Sequence, residues 1–326
     1  MVLSSIHRNV VYSTTILSLI INSILTFFIC KHTAAEFGRY RQLMLLTTIF
    51  NMVYSIIQAV TMPVIHVYEM SFFIFASGLG AVPNSFNRFA TAVFCSTFAQ
   101  SLCVLALHFL YRYIQVVRPR ARFVFENPLY VSILIVLYVF VAADYGSVCF
   151  FNFGPSAIKD AYFAEQMLKF YNIDITQVGY LGPVYVMNEE MQWLDFLGLL
   201  NVSVVIGFTL AVIPFCGTAI FRCLYKQQVT SKKTKELQIQ MFRVLLIQSF
   251  FPIAFTFIPS CGLLVMSLFG KNIGASVNIV AILLTIYPVI DPLIVLYFVS
   301  SYREAIRMYF GQFKYITNRK VTPVKF

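Results

Sequence analysis

Charge is scarce in this sequence. Of its 326 residues only 11% are Asp, Glu, Lys or Arg, against about 25% in ordinary soluble domains, too few to clothe a soluble fold of this length. Histidine and tryptophan are scarcer, with four His, at 7, 32, 66 and 108, and one Trp. There is no HExxH pair, Gly-rich phosphate loop or nucleophile elbow, so no enzyme is expected, and no cofactor. The seven cysteines, at 30, 95, 103, 149, 216, 223 and 261, form no CxxC and no Cys/His pairing of the kind that holds zinc. No internal repeat appears, which counts against a transporter built from two related halves. A channel would need a polar ring supplied by oligomerisation. Ligand-gated channel and small-molecule transporter therefore stand as the alternatives.

What is abundant is apolar surface: 59% of the residues are hydrophobic, with 34 Phe and 19 Tyr. They gather into seven uncharged or nearly uncharged runs, each about the 20 residues that cross roughly 30 Å of hydrocarbon at 1.5 Å per residue. The runs are Val10 to Cys30, Gln42 to Ile65, Phe89 to Tyr111, Pro128 to Phe151, Leu194 to Phe221, Met241 to Phe269 and Gly274 to Val299. The first exceeds the apolar core of about 7 to 15 residues found in cleaved signals, so it reads as a retained anchor. The expectation is one all-α membrane domain over 1–326, with residues 1–9 outside, the bundle over 10–299 and a tail over 300–326.

Orientation follows from the basic residues, which concentrate on the cytoplasmic side. With the N-terminus outside, 19 of the 24 Lys and Arg fall on inner segments and 5 on outer ones. The formal net charge of +11 then marks a face that meets anionic lipid and an acidic cytoplasmic protein, and needs no nucleic acid. Outside lies the long stretch from Asn152 to Gln192, in which Ala157 to Tyr171 is expected to form a helix after Pro155. Loops of this length serve as lids or binding loops, or simply shield the bundle. Beyond the seventh run, Ile306, Tyr309, Phe310 and Phe313 share a face, the pattern of an amphipathic helix on the inner leaflet. Cys95 and Cys149 both sit in outer halves of their spans, where they either bridge or act as small apolar packers.

Three segments carry more than a generic seven-span pattern. They are His108-Phe109-Leu110-Tyr111-Arg112-Tyr113 followed by Pro119; Lys232 through Gln248 leading to Pro252; and Tyr287-Pro288-Val289-Ile290-Asp291-Pro292-Leu293 followed by Ser301-Tyr302-Arg303. With Leu168 to Ile175 and Tyr180-Leu181-Gly182-Pro183 in the outer loop, the chain resembles the nematode serpentine chemoreceptors of the Str and Srj type, the group that includes the diacetyl odorant receptor. The resemblance covers nearly the whole chain. It implies a G-protein-coupled receptor fold and an olfactory or pheromone-like role in sensory transduction. It also implies a small volatile or soluble ligand, a heterotrimeric G protein as partner, and a place in the plasma membrane of a sensory cilium. Arg112 then resembles the arginine of the acidic-Arg-Tyr motif at the G-protein face, with Tyr111 in place of the acid and Tyr113 after it. Without that carboxylate, the expected inner lock is another partner such as Glu236.

Helix geometry places the remaining candidates. If Arg112 faces the interior, steps of 100° carry His108, Leu105, Ser101, Phe98 and Phe94 to the same side. Phe94, Phe98 and Ser101 are thus expected at the ligand, joined by Phe255 and Pro259 on the sixth span; plain helix packing is the alternative for each. Asn22, Asn51 and Asp291 each lie 9 residues from the inner end of their spans, a common depth of roughly 13 Å. A carboxylate there costs roughly 2.5 to 3.5 kcal/mol, so Asp291 is expected to face inward and find partners. The three residues are expected to form one cluster beside the Pro288 and Pro292 kink, coupling the seventh span to the inner face. The two asparagines could instead be incidental helix glue.

Overall fold

The computed structural model describes residues 5–33, 38–80, 82–187, 189–226 and 232–309. Among them seven helices are long and apolar enough to cross a membrane: Ser5–His32, Tyr40–Thr61, Asn84–Val116, Pro128–Phe151, Trp193–Tyr225, Gln238–Leu268 and Ala275–Phe298. The first packs on the second and seventh, and the third lies against the second, fourth and fifth. The third and seventh are the most buried and the fourth is the least. Ala92, Ala99, Ser101 and Ala106 keep the third span slim where its neighbours close around it.

Proline sets the irregularities. The fourth span starts where Asn127 accepts the Leu129 N–H at 2.9 Å with Pro128 as first helical residue. In the sixth, Pro252 has no N–H to give, and the ladder widens into a π-helical segment, Ile253–Phe257, before helix resumes at Ile258. In the seventh, Pro292 leaves the Pro288 carbonyl without its intrahelical donor. The seventh helix breaks at Val299, after which residues 300–309 are again helical. On that last segment Tyr302 and Ala305 are buried, Ile306 is half-buried, and Tyr309 lies against Phe28 and His32 of the first span. Phe310 and Phe313, the rest of the expected apolar face, lie outside the described residues.

The outer face departs from the all-helical expectation. The second span stops at Thr61 rather than running to Ile65, because Met62 turns left-handed (φ 42°) and Pro63 opens a strand. That strand, β1 (Pro63–Tyr68), pairs antiparallel with β2 (Ser71–Ala76), and β2 pairs with β3 (Tyr180–Leu181) of the long outer loop. A smaller hairpin joins β4 (Val186–Met187) and β5 (Glu190–Met191). Val, Ile, Phe and Tyr suit a strand as well as a span, and apolar content cannot separate the two where they adjoin. The outer-loop helix covers Ala157–Tyr171, as its sequence suggests, with Ser156 capping it through the Lys159 N–H and Asn172 closing it at φ 54°. The helix packs over the sheet, burying Phe73, Phe75, Phe163, Met167 and Tyr171 in one cluster.

Candidate functional site

Below that sheet lies a cavity of about 100 Å³. Its walls are Phe94, Cys95 and Phe98 from the third span, Tyr145 and Cys149 from the fourth, Leu199, Val202 and Ile206 from the fifth, and Phe257, Ser260 and Cys261 from the sixth; Ile65, Phe72, Ile74, Leu181 and Pro183 form its roof. The Phe98 and Phe257 rings meet at 5.3 Å. Hydroxyl chemistry is sparse, and that of Ser260 already donates to the Thr256 carbonyl at 2.7 Å. Cys95 and Cys149 are neighbouring free thiols, so the bridge left open by the sequence is not formed.

Two of the five expected ligand residues, Phe94 and Phe98, line this cavity, and three do not. Ser101 is buried deeper on the same helix face, its hydroxyl turned back to the Phe98 carbonyl at 2.6 Å. Phe255 is 44% exposed on the outside of the bundle, because the π-helical segment turns Phe257 inward instead. Pro259 follows the same segment and lies off the cavity wall.

The roof is fastened by polar contacts that the sequence did not disclose. Lys159 Nζ meets Asp195 Oδ1 at 2.8 Å, both side chains being largely buried, and Asp195 Oδ2 accepts the Val184 N–H at 3.0 Å. Tyr180 donates to Asp160 at 2.7 Å. Gly179 passes so close to the third span that an added Cβ would sit 1.9 Å from the Asn84 carbonyl oxygen. His66 in β1 lies 4.9 Å from the Phe73 ring, nearly parallel to it, with Nδ1 3.0 Å from the Tyr171 hydroxyl. Burial among these rings pushes the imidazole down to about 4.

At the inner end, Arg112 is 3% exposed. Its guanidinium lies 4.0 Å from the centre of the Tyr40 ring, Nη1 donates to Gln238 Oε1 at 3.2 Å, and Nη2 reaches Met241 Sδ at 2.8 Å. The expected partner Glu236 is replaced by Gln238, two residues along the same helix, and Glu236 itself is exposed. Tyr111 stacks on Tyr40 at 5.4 Å, and Tyr113 lies half-buried against Phe215. Tyr40 also meets His108 Nδ1 through its hydroxyl at 3.2 Å, while His108 Nε2 lies 2.7 Å from Thr47 Oγ1. Tyr40 is therefore a hub that the motifs alone did not mark.

Deeper in the bundle Asp291 accepts Asn51 Nδ2 and Gln248 Nε2, each at 2.9 Å. Asn22 does not reach Asp291. Its Nδ2 donates to the Pro288 carbonyl at 2.9 Å, the very group that Pro292 orphans. Ser18 and Ser55, hydroxyl to hydroxyl at 2.7 Å, connect the two halves, since Ser55 donates to the Asn51 carbonyl and Asn22 to the Ser18 carbonyl. The first, second, sixth and seventh spans are thus tied through one buried polar chain. Gln248 is the member that sequence depth-counting missed, although an amide amid Val244-Leu245-Leu246-Ile247 is a legible signal. A second cavity, of about 30 Å³, lies between this chain and the inner site, bounded by Tyr40, His108, Gln248 and Asp291.

Seven spans, a lidded cavity in the outer half and a buried arginine at the inner end define the fold of a rhodopsin-like receptor. Squid rhodopsin superposes with a TM-score of 0.62 over 94% of this chain and 85% of its own, at 10% sequence identity. The family model of the serpentine type 7TM GPCR chemoreceptor Str matches residues 7–307, and the chain belongs to that family. Among its relatives are serpentine receptor class r-10 of Caenorhabditis elegans, 26% identical over 85% of this chain and 83% of the relative, and the same-named receptor of Caenorhabditis briggsae, 24% identical over 88% and 86%. Serpentine receptor class J-38 of Caenorhabditis elegans is 25% identical over 89% of each.

Proposed function

We propose that this receptor detects a small, mostly apolar molecule in the cavity bounded by Phe94 and Phe98, and activates a heterotrimeric G protein through the inner site around Arg112. The observation that carries the reading is the shared face of the third span, which runs from the cavity wall at Phe94 and Phe98 to Arg112 with every intervening member of the stripe buried. A cavity of about 100 Å³ is somewhat below the roughly 150 Å³ of an engineered cavity that binds benzene. The ligand is thus of odorant size, with at most one hydrogen-bonding group facing Tyr145 or Ser260. The place that suits such a role is the plasma membrane of a sensory cilium, and the signal is olfactory or pheromone-like.

The test is an odorant-panel screen in cells carrying a calcium or cyclic-nucleotide reporter, with and without G-protein inhibition. Responses that G-protein inhibition abolishes support the proposal, with Phe94→Ala expected to shift the dose response at unchanged surface level. An ionic current that survives inhibition, or saturable uptake without signalling, rejects it.

A further inference from the structure

We infer that the cavity fills from the lipid bilayer, through the gap between the outer halves of the fifth and sixth spans, and that its ligands are uncharged molecules dissolved in hydrocarbon. The inference rests on the cavity being the ligand site and adds the route and the class of molecule.

The aqueous side is closed twice. Ile65, Phe72 and Leu181 roof the cavity and are themselves buried, and above the sheet Phe163 and Met167 of the outer-loop helix are 0% exposed. The Lys159–Asp195 ion pair and the Tyr180–Asp160 bond hold this double layer down. To reach the cavity from water, a molecule would have to lift both layers together.

The lipid side is built differently. The outer half of the sixth span, Ile258–Leu268, approaches β1 and β2 but scarcely approaches the fifth span. Two glycines adjoin cavity-lining residues on these spans. Gly262 lies between cavity-lining Cys261 and Leu263, and Gly207 follows cavity-lining Ile206; a Cβ added at either meets no atom within 4 Å. The outward surface of both spans is apolar, with Val204, Phe208 and Ile258 60%, 73% and 62% exposed. The π-helical segment Ile253–Phe257 sits directly below and lets the outer half of the sixth span swing without breaking a regular ladder. A charged molecule fails on this route, since it would surrender its hydration in the bilayer and find almost no polar partners inside.

Carbene labelling tests this without an agonist or a G protein, so it can fail while the receptor assignment stands, and the reverse. The receptor in lipid nanodiscs is mixed briefly with an eight-carbon alkyl diazirine or its trimethylammonium derivative, irradiated, and mapped by peptide mass spectrometry at Phe94 and Phe98. The apolar probe is expected to label these residues and the cationic one to spare them. Gly262→Trp, and independently Gly207→Trp, should each cut early labelling about tenfold, the effect of about 1.4 kcal/mol added to the barrier, with melting temperature confirming that at least one of the two is folded. Lys159→Ala, which loosens the roof, should leave the labelling rate within about twofold. The inference is overturned if neither probe labels, if both label alike, if folded tryptophan variants label at the parent rate, or if Lys159→Ala accelerates labelling.

Discussion

Asp291 holds its place through two amides on different spans, Asn51 and Gln248. An amide in its position can keep one of the two bonds by turning its oxygen to one donor, but it sets its own NH₂ against the other. Asp291→Asn is therefore expected to loosen the tie between the sixth and seventh spans and change the resting and agonist-driven signal, with most of the folded stability kept. Asp291→Leu leaves both amides without an acceptor, at about 1–3 kcal/mol for each buried group, and should lower the melting temperature as well. Parallel dose responses and thermal melts at matched surface level check both; parental signalling in the two variants would remove Asp291 from the switch. Arg112 differs because none of its contacts is a carboxylate. Arg112→Ala strands no charge, so surface expression should persist while G-protein activation is lost, and a nucleotide-exchange assay on membranes decides it.

At the scale of the element, Asn22 serves the seventh-span carbonyl freed by Pro292. Pro292→Ala restores an N–H to that carbonyl and makes the Asn22 bond redundant. Melting temperature should hold or rise while agonist efficacy falls, and the double variant with Asn22→Ala should add little further loss of stability. The outer sheet carries a pH dependence. His66 in the folded cap titrates near 4 against 6.5 when free, so the unfolded cap binds the proton more readily between those values. Stability of the cap is full above about 6.5 and drains away as pH falls toward 4. Hydrogen exchange across Pro63–Ala76 should therefore accelerate on acidification through that window, and His66→Phe should flatten the profile. The spans were legible from length and hydropathy because a bilayer admits few other structures, and the helix Ala157–Tyr171 from its turn residues. The sheet was not, since Pro63–Tyr68 continues the apolar content of the span before it. Nor was the inward turn of Phe257, since a π-helical segment shifts the face of every residue beyond it. Phe94, Phe98 and Arg112 were legible because the third span stays regular from cavity to inner end.

For the molecule as a whole, the charge asymmetry that orients the chain also separates its two working faces. The outer face is closed over with apolar side chains, and the inner face holds most of the cations. An epitope at the N-terminus should bind antibody on intact cells, and one at the C-terminus only after permeabilisation; the opposite pattern would invert every assignment of cavity and coupling site. The two ends are joined through a continuous interior: Phe98 touches Phe257 of the sixth span, Gln248 of that span holds Asp291, and Gln238 and Met241 at its foot hold Arg112. The sixth span therefore meets the outer cavity, the polar chain and the inner arginine in succession.

The clasp on Arg112 has one further consequence. A tyrosine face, a neutral amide and a thioether grip the cation, and none of these carries a charge of its own. A carboxylate in their place would hold the cation by full opposite charge as well as by hydrogen bonds. Held instead by a ring face, an amide and a thioether, Arg112 should exchange these contacts for others at lower cost than an ion pair would.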